Sequence, residues 1–66
     1  MLNTRTAKRE AARTLKGMMM EATGKGIEVV KLVDRIVENR ATDAELRRVY
    51  KVAEKTGNLA AFFEVA

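Results

Sequence analysis

Residues 27–39 read IEVVKLVDRIVEN, and this stretch decides the fold class. Its apolar residues include two adjacent pairs, Val29-Val30 and Leu32-Val33, which fit the 3.6-residue period of a helix rather than the alternation of a strand. Many of these residues are β-branched and are therefore weak helix formers, so packing must hold this helix in place. The pattern predicts a helix over about residues 27–39, and a strand is the alternative.

Polar and glycine-containing breaks at residues 23–26, 39–42 and 56–58 divide the rest of the chain. No residue is proline, so no segment is excluded from helix by ring geometry. The apolar residues between the breaks keep a helical period, and each segment is predicted to be a helix. The predicted helices span about residues 4–22, 27–39, 43–56 and 59–65.

The first helix is predicted to continue through Gly17, although glycine costs about 1 kcal/mol relative to alanine inside a helix. Asn3 or Thr4 is its expected N-cap. Helical spacing groups the apolar residues on one face and four basic residues on the opposite side. The apolar face holds Ala7, Ala11, Leu15, Met18, Met19 and Ala22, and the basic stripe holds Arg5, Arg9, Arg13 and Lys16.

The sequence contains residues that typically begin and end a helix at both ends of the third segment. Thr42 and Glu45 have the spacing of a capping box, in which each side chain accepts a hydrogen bond from the other residue's backbone N–H. Gly57 stands where a helix commonly ends in a left-handed residue. Asn58 is the expected cap of the short last helix.

These elements indicate an all-α fold, a small bundle of three main helices and a short C-terminal helix in one domain, residues 1–66. A chain of 66 residues buries only about 60% of the surface that its unfolded form exposes, so its core is small. The apolar face of the second helix is wider than one neighbour covers. We therefore expect this helix either to lie centrally or to form a dimer interface as well.

The composition argues against an enzyme. The chain has no histidine and no cysteine, so disulfides and the usual zinc sites are excluded, and we expect no metal, cofactor or small-molecule substrate. Glu28, Asp34 and Glu38 each have a basic residue three positions away, which is typical of a salt-bridged surface. Residues 22–26, ATGKG, lack the hydroxyl residue and the preceding strand of a phosphate loop.

No apolar run approaches the roughly 20 residues that span a bilayer. Residues 1–5, MLNTR, lack the apolar core of a secretory signal. We therefore expect a cytoplasmic protein that does not associate with membranes.

The net charge of +4 is concentrated at the start of the chain. Residues 1–20 hold five basic residues and one acidic residue, whereas residues 21–66 hold eight of each. The stripe formed by Arg5, Arg9, Arg13 and Lys16 is therefore a candidate contact for nucleic-acid phosphates. A second stripe, Arg47, Arg48, Lys51 and Lys55, is partly offset by acidic neighbours. Neither stripe contains an aromatic residue for base stacking.

A second set of candidate residues is apolar. It comprises Met18, Met19, Met20, Phe62 and Phe63, since adaptable methionines and aromatic rings are typical of surfaces that bind a protein. Met18 and Met19 also belong to the apolar face of the first helix, and core packing is the favoured interpretation of these two. The sequence thus favours a non-enzymatic regulator or adaptor that binds a larger protein, or a second copy of itself, through an apolar helix face. The alternative is a dimeric module that contacts nucleic-acid phosphates non-specifically through the basic first helix.

Overall fold

A computed structural model of the chain describes residues 4–66 and contains four α-helices in this range. They are α1 (Thr4–Thr23), α2 (Ile27–Val37), α3 (Asp43–Thr56) and α4 (Leu59–Val65). No strand occurs within residues 4–66, so the all-α prediction is confirmed and the strand alternative for residues 27–39 is wrong. Asn3, one of the two predicted N-caps, lies outside the described residues, and Thr4 is the first residue of α1.

The first helix is continuous through Gly17, as predicted, and ends at Thr23. The Thr23 hydroxyl donates a hydrogen bond to the Met19 carbonyl oxygen at 2.8 Å and accepts one from the Lys25 backbone N–H at 3.2 Å. Gly24 follows with a φ of +70°, a conformation that glycine adopts without steric cost. These contacts end α1 and turn the chain toward α2.

The second helix ends at Val37, two residues earlier than predicted. Glu38 is its C-cap, and Asn39 adopts a φ of +60° in the left-handed region. Asparagine is one of the few non-glycine residues that enter this region readily. The backbone N–H of Arg40 then donates to the Arg35 carbonyl oxygen at 2.8 Å, which closes the helix end.

The third helix has both predicted end signals. The Glu45 N–H donates to the Thr42 hydroxyl at 3.2 Å, and the Thr42 N–H donates to the Glu45 carboxylate at 3.0 Å. Gly57 is left-handed, with a φ of +78°. Asn58 is the N-cap residue of α4, as predicted, but its side chain accepts no capping hydrogen bond, and its amide donates to the Thr56 hydroxyl at 2.8 Å.

The first helix packs against each of the other three helices, and α3 also packs against α4. A 20-residue helix is about 30 Å long, so α1 accounts for most of the 34 Å long dimension of the molecule. Of the two alternatives for α2, the central position is wrong, because α1 is the helix that packs against the other three, and the dimer interface stays a prediction. Its buried residues are Ala11, Ala12, Leu15, Met18 and Met19.

The wide apolar face of α2 is covered mainly within the same chain. Four of its residues are buried, and Val30 and Val37 on its edge are half-buried. The buried residues of α2 are Val29, Leu32, Val33 and Ile36. Leu15, Met19, Val33 and Val49 have no exposed surface and form the centre of the core.

Candidate functional site

A groove with a volume of about 450 Å³ lies between α1 and the C-terminal half of α2. We call this surface the basic groove, because five of its eight lining residues are basic. Its α1 residues are Arg5, Lys8, Arg9, Ala12, Arg13 and Lys16, and its α2 residues are Asp34 and Val37. The volume lies within the range of about 300–1,000 Å³ that is typical of ligand sites.

The positions of the basic residues around the axis of α1 explain why they line a groove. The sequence predicts the basic stripe on the side opposite the apolar face, but the structure places it beside that face, next to α2. The reason is Ala12, which is only 7% exposed and extends the buried face toward the stripe. Lys8 and Lys16 are one helical turn from Ala12 on either side, so their Cβ atoms lie next to the floor of the groove.

The charge of the basic groove is strongly positive. Its five basic side chains face one acidic side chain, so the lining carries the same net charge, +4, as the entire chain. Lys8, Arg9 and Arg13 form no ion pair with any residue that the structure describes. These side chains can therefore bind an anion without first giving up an acidic partner.

Lys16 differs from the other basic residues of the groove because it is already paired. Its ammonium nitrogen lies 2.9 Å from the Asp34 carboxylate, across the interface of α1 and α2. The sequence predicts a salt-bridged surface for Asp34, and Asp34 is indeed paired, but its partner lies on α1 and not three positions away on its own helix. Lys16 lies 18 residues away in the chain and reaches Asp34 only because the two helices pack together.

The second basic stripe forms a different kind of surface. Arg47, Arg48 and Lys51 surround a depression of about 300 Å³ that is lined by α3 alone, together with Ala44. These three basic residues form no ion pair among the described residues either. This depression therefore differs in shape from the basic groove, which has walls from two helices. Arg48 also lines a separate depression between α2 and α3, where the acidic side chains of Glu28 and Glu45 lie beside it.

The structure separates the five predicted protein-binding residues into two groups. Met18, Met19 and Phe62 are buried, so they serve the core and are not accessible to a partner in this conformation. Met20 and Phe63 are exposed, at 44% and 63%. The ring of Phe63 packs edge-on against Tyr50 and Phe62, with centroid separations of 6.2 and 5.6 Å.

A third exposed apolar residue, Ile27, is not among the residues that the sequence predicts to bind a protein. It is the first residue of α2 and is 73% exposed. Four groove residues, Lys8, Ala12, Asp34 and Val37, are also absent from the predicted sites. The concentration of charge in residues 1–20 includes Lys8, but no sequence pattern brings residues from α2 to the basic stripe.

A separate ion pair joins α2 to α3. The Arg35 guanidinium donates a hydrogen bond to the Glu45 carboxylate. This hydrogen bond, together with one from the Thr42 backbone N–H, holds the pKa of Glu45 below its ordinary value. Glu45 also belongs to the capping box of α3, so it links the start of that helix to α2.

The chain matches no protein-family model, no curated protein and no solved structure. Within residues 4–66, no helix combines the length and the apolar character needed to cross a bilayer. The described part of the chain also brings no three acidic side chains together as a candidate metal site. The basic groove and the exposed side chains of Met20, Ile27 and Phe63 are the candidate functional surfaces of the described residues.

Proposed function

We propose that this chain is a non-enzymatic nucleic-acid-binding module that holds the phosphates of a duplex in the basic groove. The single observation that carries the proposal is the +4 charge gathered in one concave surface between two helices. Phosphate contacts require positive charge within reach of the backbone and carry no sequence information by themselves. The proposed binding is therefore independent of base sequence.

The spacing of the arginines suits a row of phosphates. Arg5, Arg9 and Arg13 are four residues apart, so together they extend about 12 Å along the axis of α1. Successive phosphates of one strand advance 3.4 Å or so along the duplex axis, so about 12 Å of α1 would span three to four phosphates if α1 lay parallel to that axis. A rigid helix thus presents its positive charges over the length of a short stretch of backbone.

The lining of the groove also bears on which part of the nucleic acid is bound. It contains no aromatic side chain, so single strands cannot be held there by base stacking. It contains no asparagine or glutamine, the residues that pair with adenine edges. Arginine can contact guanine, but a groove built from arginine, lysine and two small apolar patches favours the backbone of a duplex.

The sequence ranks a protein partner first, whereas the burial of the apolar residues supports placing the nucleic-acid alternative ahead of it. That ranking rests on the methionine run, on Phe62 and on the wide face of α2. Most of these residues pack inside the chain, whereas the basic residues are gathered at its surface. The side chains that remain exposed to a partner are therefore mainly charged ones.

The experiment is a titration of a fluorescently labelled duplex of mixed sequence, followed by anisotropy between roughly 50 and 200 mM salt. The variant Arg9→Gln/Arg13→Gln removes two unpaired charges from the groove. Each lost phosphate contact lowers the slope of log K against log salt by about 0.9, so we expect the slope to flatten by about 1.8. Circular dichroism should show unchanged helix content, because both side chains are exposed.

The matched control is Arg47→Gln/Lys51→Gln, which removes two charges from α3 and leaves the groove intact. We expect the control to keep the wild-type slope. Equal flattening in both variants would assign the binding to the overall charge of the molecule. A slope that changes only in the control would move the site to α3, and either result would overturn the role of the groove.

A second candidate function, binding to a protein or to a second copy of this chain, is supported by Phe63. Its ring is largely exposed, although it contacts Tyr50 and Phe62, and a bare aromatic ring of this kind is typical of an interface anchor. Light scattering coupled to size-exclusion chromatography tests self-association directly. A dimer that becomes a monomer in Phe63→Ser would support this candidate, and a monomeric wild type would exclude the homodimer.

A further inference from the structure

The basic groove contains one residue that opposes the binding of phosphate. Asp34 is the single acidic residue of its lining, and its carboxylate lies 2.9 Å from the Lys16 ammonium group. Both side chains are partly exposed, with 49% of Asp34 and 31% of Lys16 accessible, so the pair lies at the wall of the groove and not in the core. An incoming phosphate can therefore reach both groups.

We infer that Asp34 withholds Lys16 from phosphate and so ends the phosphate-binding row of the groove at Arg13. The inference rests on the proposed function. A phosphate at Lys16 would replace the carboxylate as the partner of the ammonium group and would lie beside a like charge. The phosphate contacts of the wild-type groove are therefore made by the residues from Arg5 to Arg13.

The position of Asp34 in the fold supports this role. It is the only acidic residue that α2 contributes to the groove, whereas Glu28 faces a different depression on the opposite flank of the helix, toward α3. Helical geometry separates the two positions by about 120° around the axis of α2. Asp34 thus limits the length of backbone that the groove accepts.

The test is the variant Asp34→Asn, which keeps the size of the side chain and removes its charge. With Lys16 released, one further phosphate can be contacted, so we expect the salt slope to steepen by about 0.9. At about 0.1 M salt the same change corresponds to a rise in duplex affinity of about five- to tenfold. The measurement is the anisotropy titration of a mixed-sequence duplex with the full chain.

The matched control is Glu54→Gln, which makes the same change in net charge on the exposed surface of α3. We expect its slope to equal that of the wild type. If Glu54→Gln and Asp34→Asn steepen the slope equally, the effect is one of net charge and the inference is overturned. An unchanged slope in Asp34→Asn overturns it as well.

Lys16→Gln completes a double-mutant cycle. In the wild-type background we expect it to flatten the slope by less than in the Asp34→Asn background, because the Asp34 carboxylate already holds the Lys16 ammonium group there. In the Asp34→Asn background it should cancel the added 0.9 or so. A loss of about 0.9 from Lys16→Gln alone would show that Lys16 already binds phosphate, and would overturn the inference.

Different results would overturn this inference and the proposed function. If Arg9→Gln/Arg13→Gln flattens the slope but Asp34→Asn leaves it unchanged, the groove binds phosphate and Asp34 has no such role. If the wild type shows no salt-dependent binding of a duplex, the proposed function fails and the inference fails with it. Melting temperatures of all variants should stay close to the wild-type value, since exposed ion pairs contribute little to stability.

Discussion

At the scale of single residues, Gly17 lowers stability because it is a glycine inside a helix. It lies in the middle of α1 and is exposed, and a Cβ atom added there would meet no atom within 4 Å. We expect Gly17→Ala to raise the free energy of unfolding by up to about 1 kcal/mol, because alanine loses less backbone entropy on folding. In a domain of this size that corresponds to roughly 4–8 °C in melting temperature, measured by circular dichroism.

Gly57 provides the control for this substitution. Nothing obstructs a Cβ atom there either, but its φ of +78° lies in the left-handed region, which costs other residues roughly 1–2 kcal/mol. We expect Gly57→Ala to lower the melting temperature. If both glycine variants shift the melting temperature in the same direction, backbone conformation is not the cause of either effect.

At the scale of elements, the start of α3 makes stability sensitive to acid. The pKa of Glu45 is lowered chiefly by the hydrogen bond from Arg35 and also by the one from the Thr42 backbone. An ordinary glutamate, as in the unfolded chain, has a pKa of about 4.3, so the unfolded state takes up this proton first as the pH falls. The stabilising contribution of Glu45 is complete above that value and is lost as the pH falls through the lowered pKa of the folded state.

Chemical denaturation between about pH 3 and pH 6 checks this prediction. We expect Glu45→Gln to be less stable than the wild type at pH 6 and to lose less stability as the pH falls to 3. Glu64→Gln, which removes an exposed carboxylate from α4, should follow the wild-type decline. A decline in Glu45→Gln as steep as that of the wild type would contradict a role for this residue in acid sensitivity.

The helices were predictable because their boundaries are encoded locally. Thr42, Glu45 and Gly57 form the ends of α3 through hydrogen bonds and dihedral angles that involve only neighbouring residues. The end of α2 at Val37 was missed because the left-handed conformation of Asn39 is less strongly encoded than that of a glycine. Local signals thus fixed where helices begin and end, to within two residues.

Only one wall of the basic groove was predictable, because the other wall depends on contacts between residues that are distant in the sequence. Its α1 wall follows from the spacing of Arg5, Arg9 and Arg13, which is a property of one helix. Asp34 joins them only because α1 and α2 pack together, and no periodicity within either helix specifies that contact. Sequence patterns likewise could not separate buried Phe62 from exposed Phe63, since the two residues are adjacent in a short helix that is apolar on nearly every side.

At the scale of the whole molecule, the fold depends on α1, because this helix contacts each of the others. Leu15 is fully buried near the middle of α1. Truncation of a buried leucine to alanine costs about 2–5 kcal/mol, and a domain of 66 residues has a total stability of only about 3–10 kcal/mol. We therefore expect Leu15→Ala to lower the melting temperature sharply and to reduce the helix signal of the entire chain, not that of α1 alone.

Circular dichroism and backbone amide exchange of Leu15→Ala measure this dependence. Ile27→Ala is the control, because Ile27 is 73% exposed and its truncation should change stability by no more than about 0.5 kcal/mol. Loss of protection in α2, α3 and α4 together would follow from their shared contact with α1. If α3 and α4 kept their protection while α1 and α2 lost theirs, the contact between α3 and α4 would be sufficient by itself, and α1 would not be the element on which the fold depends.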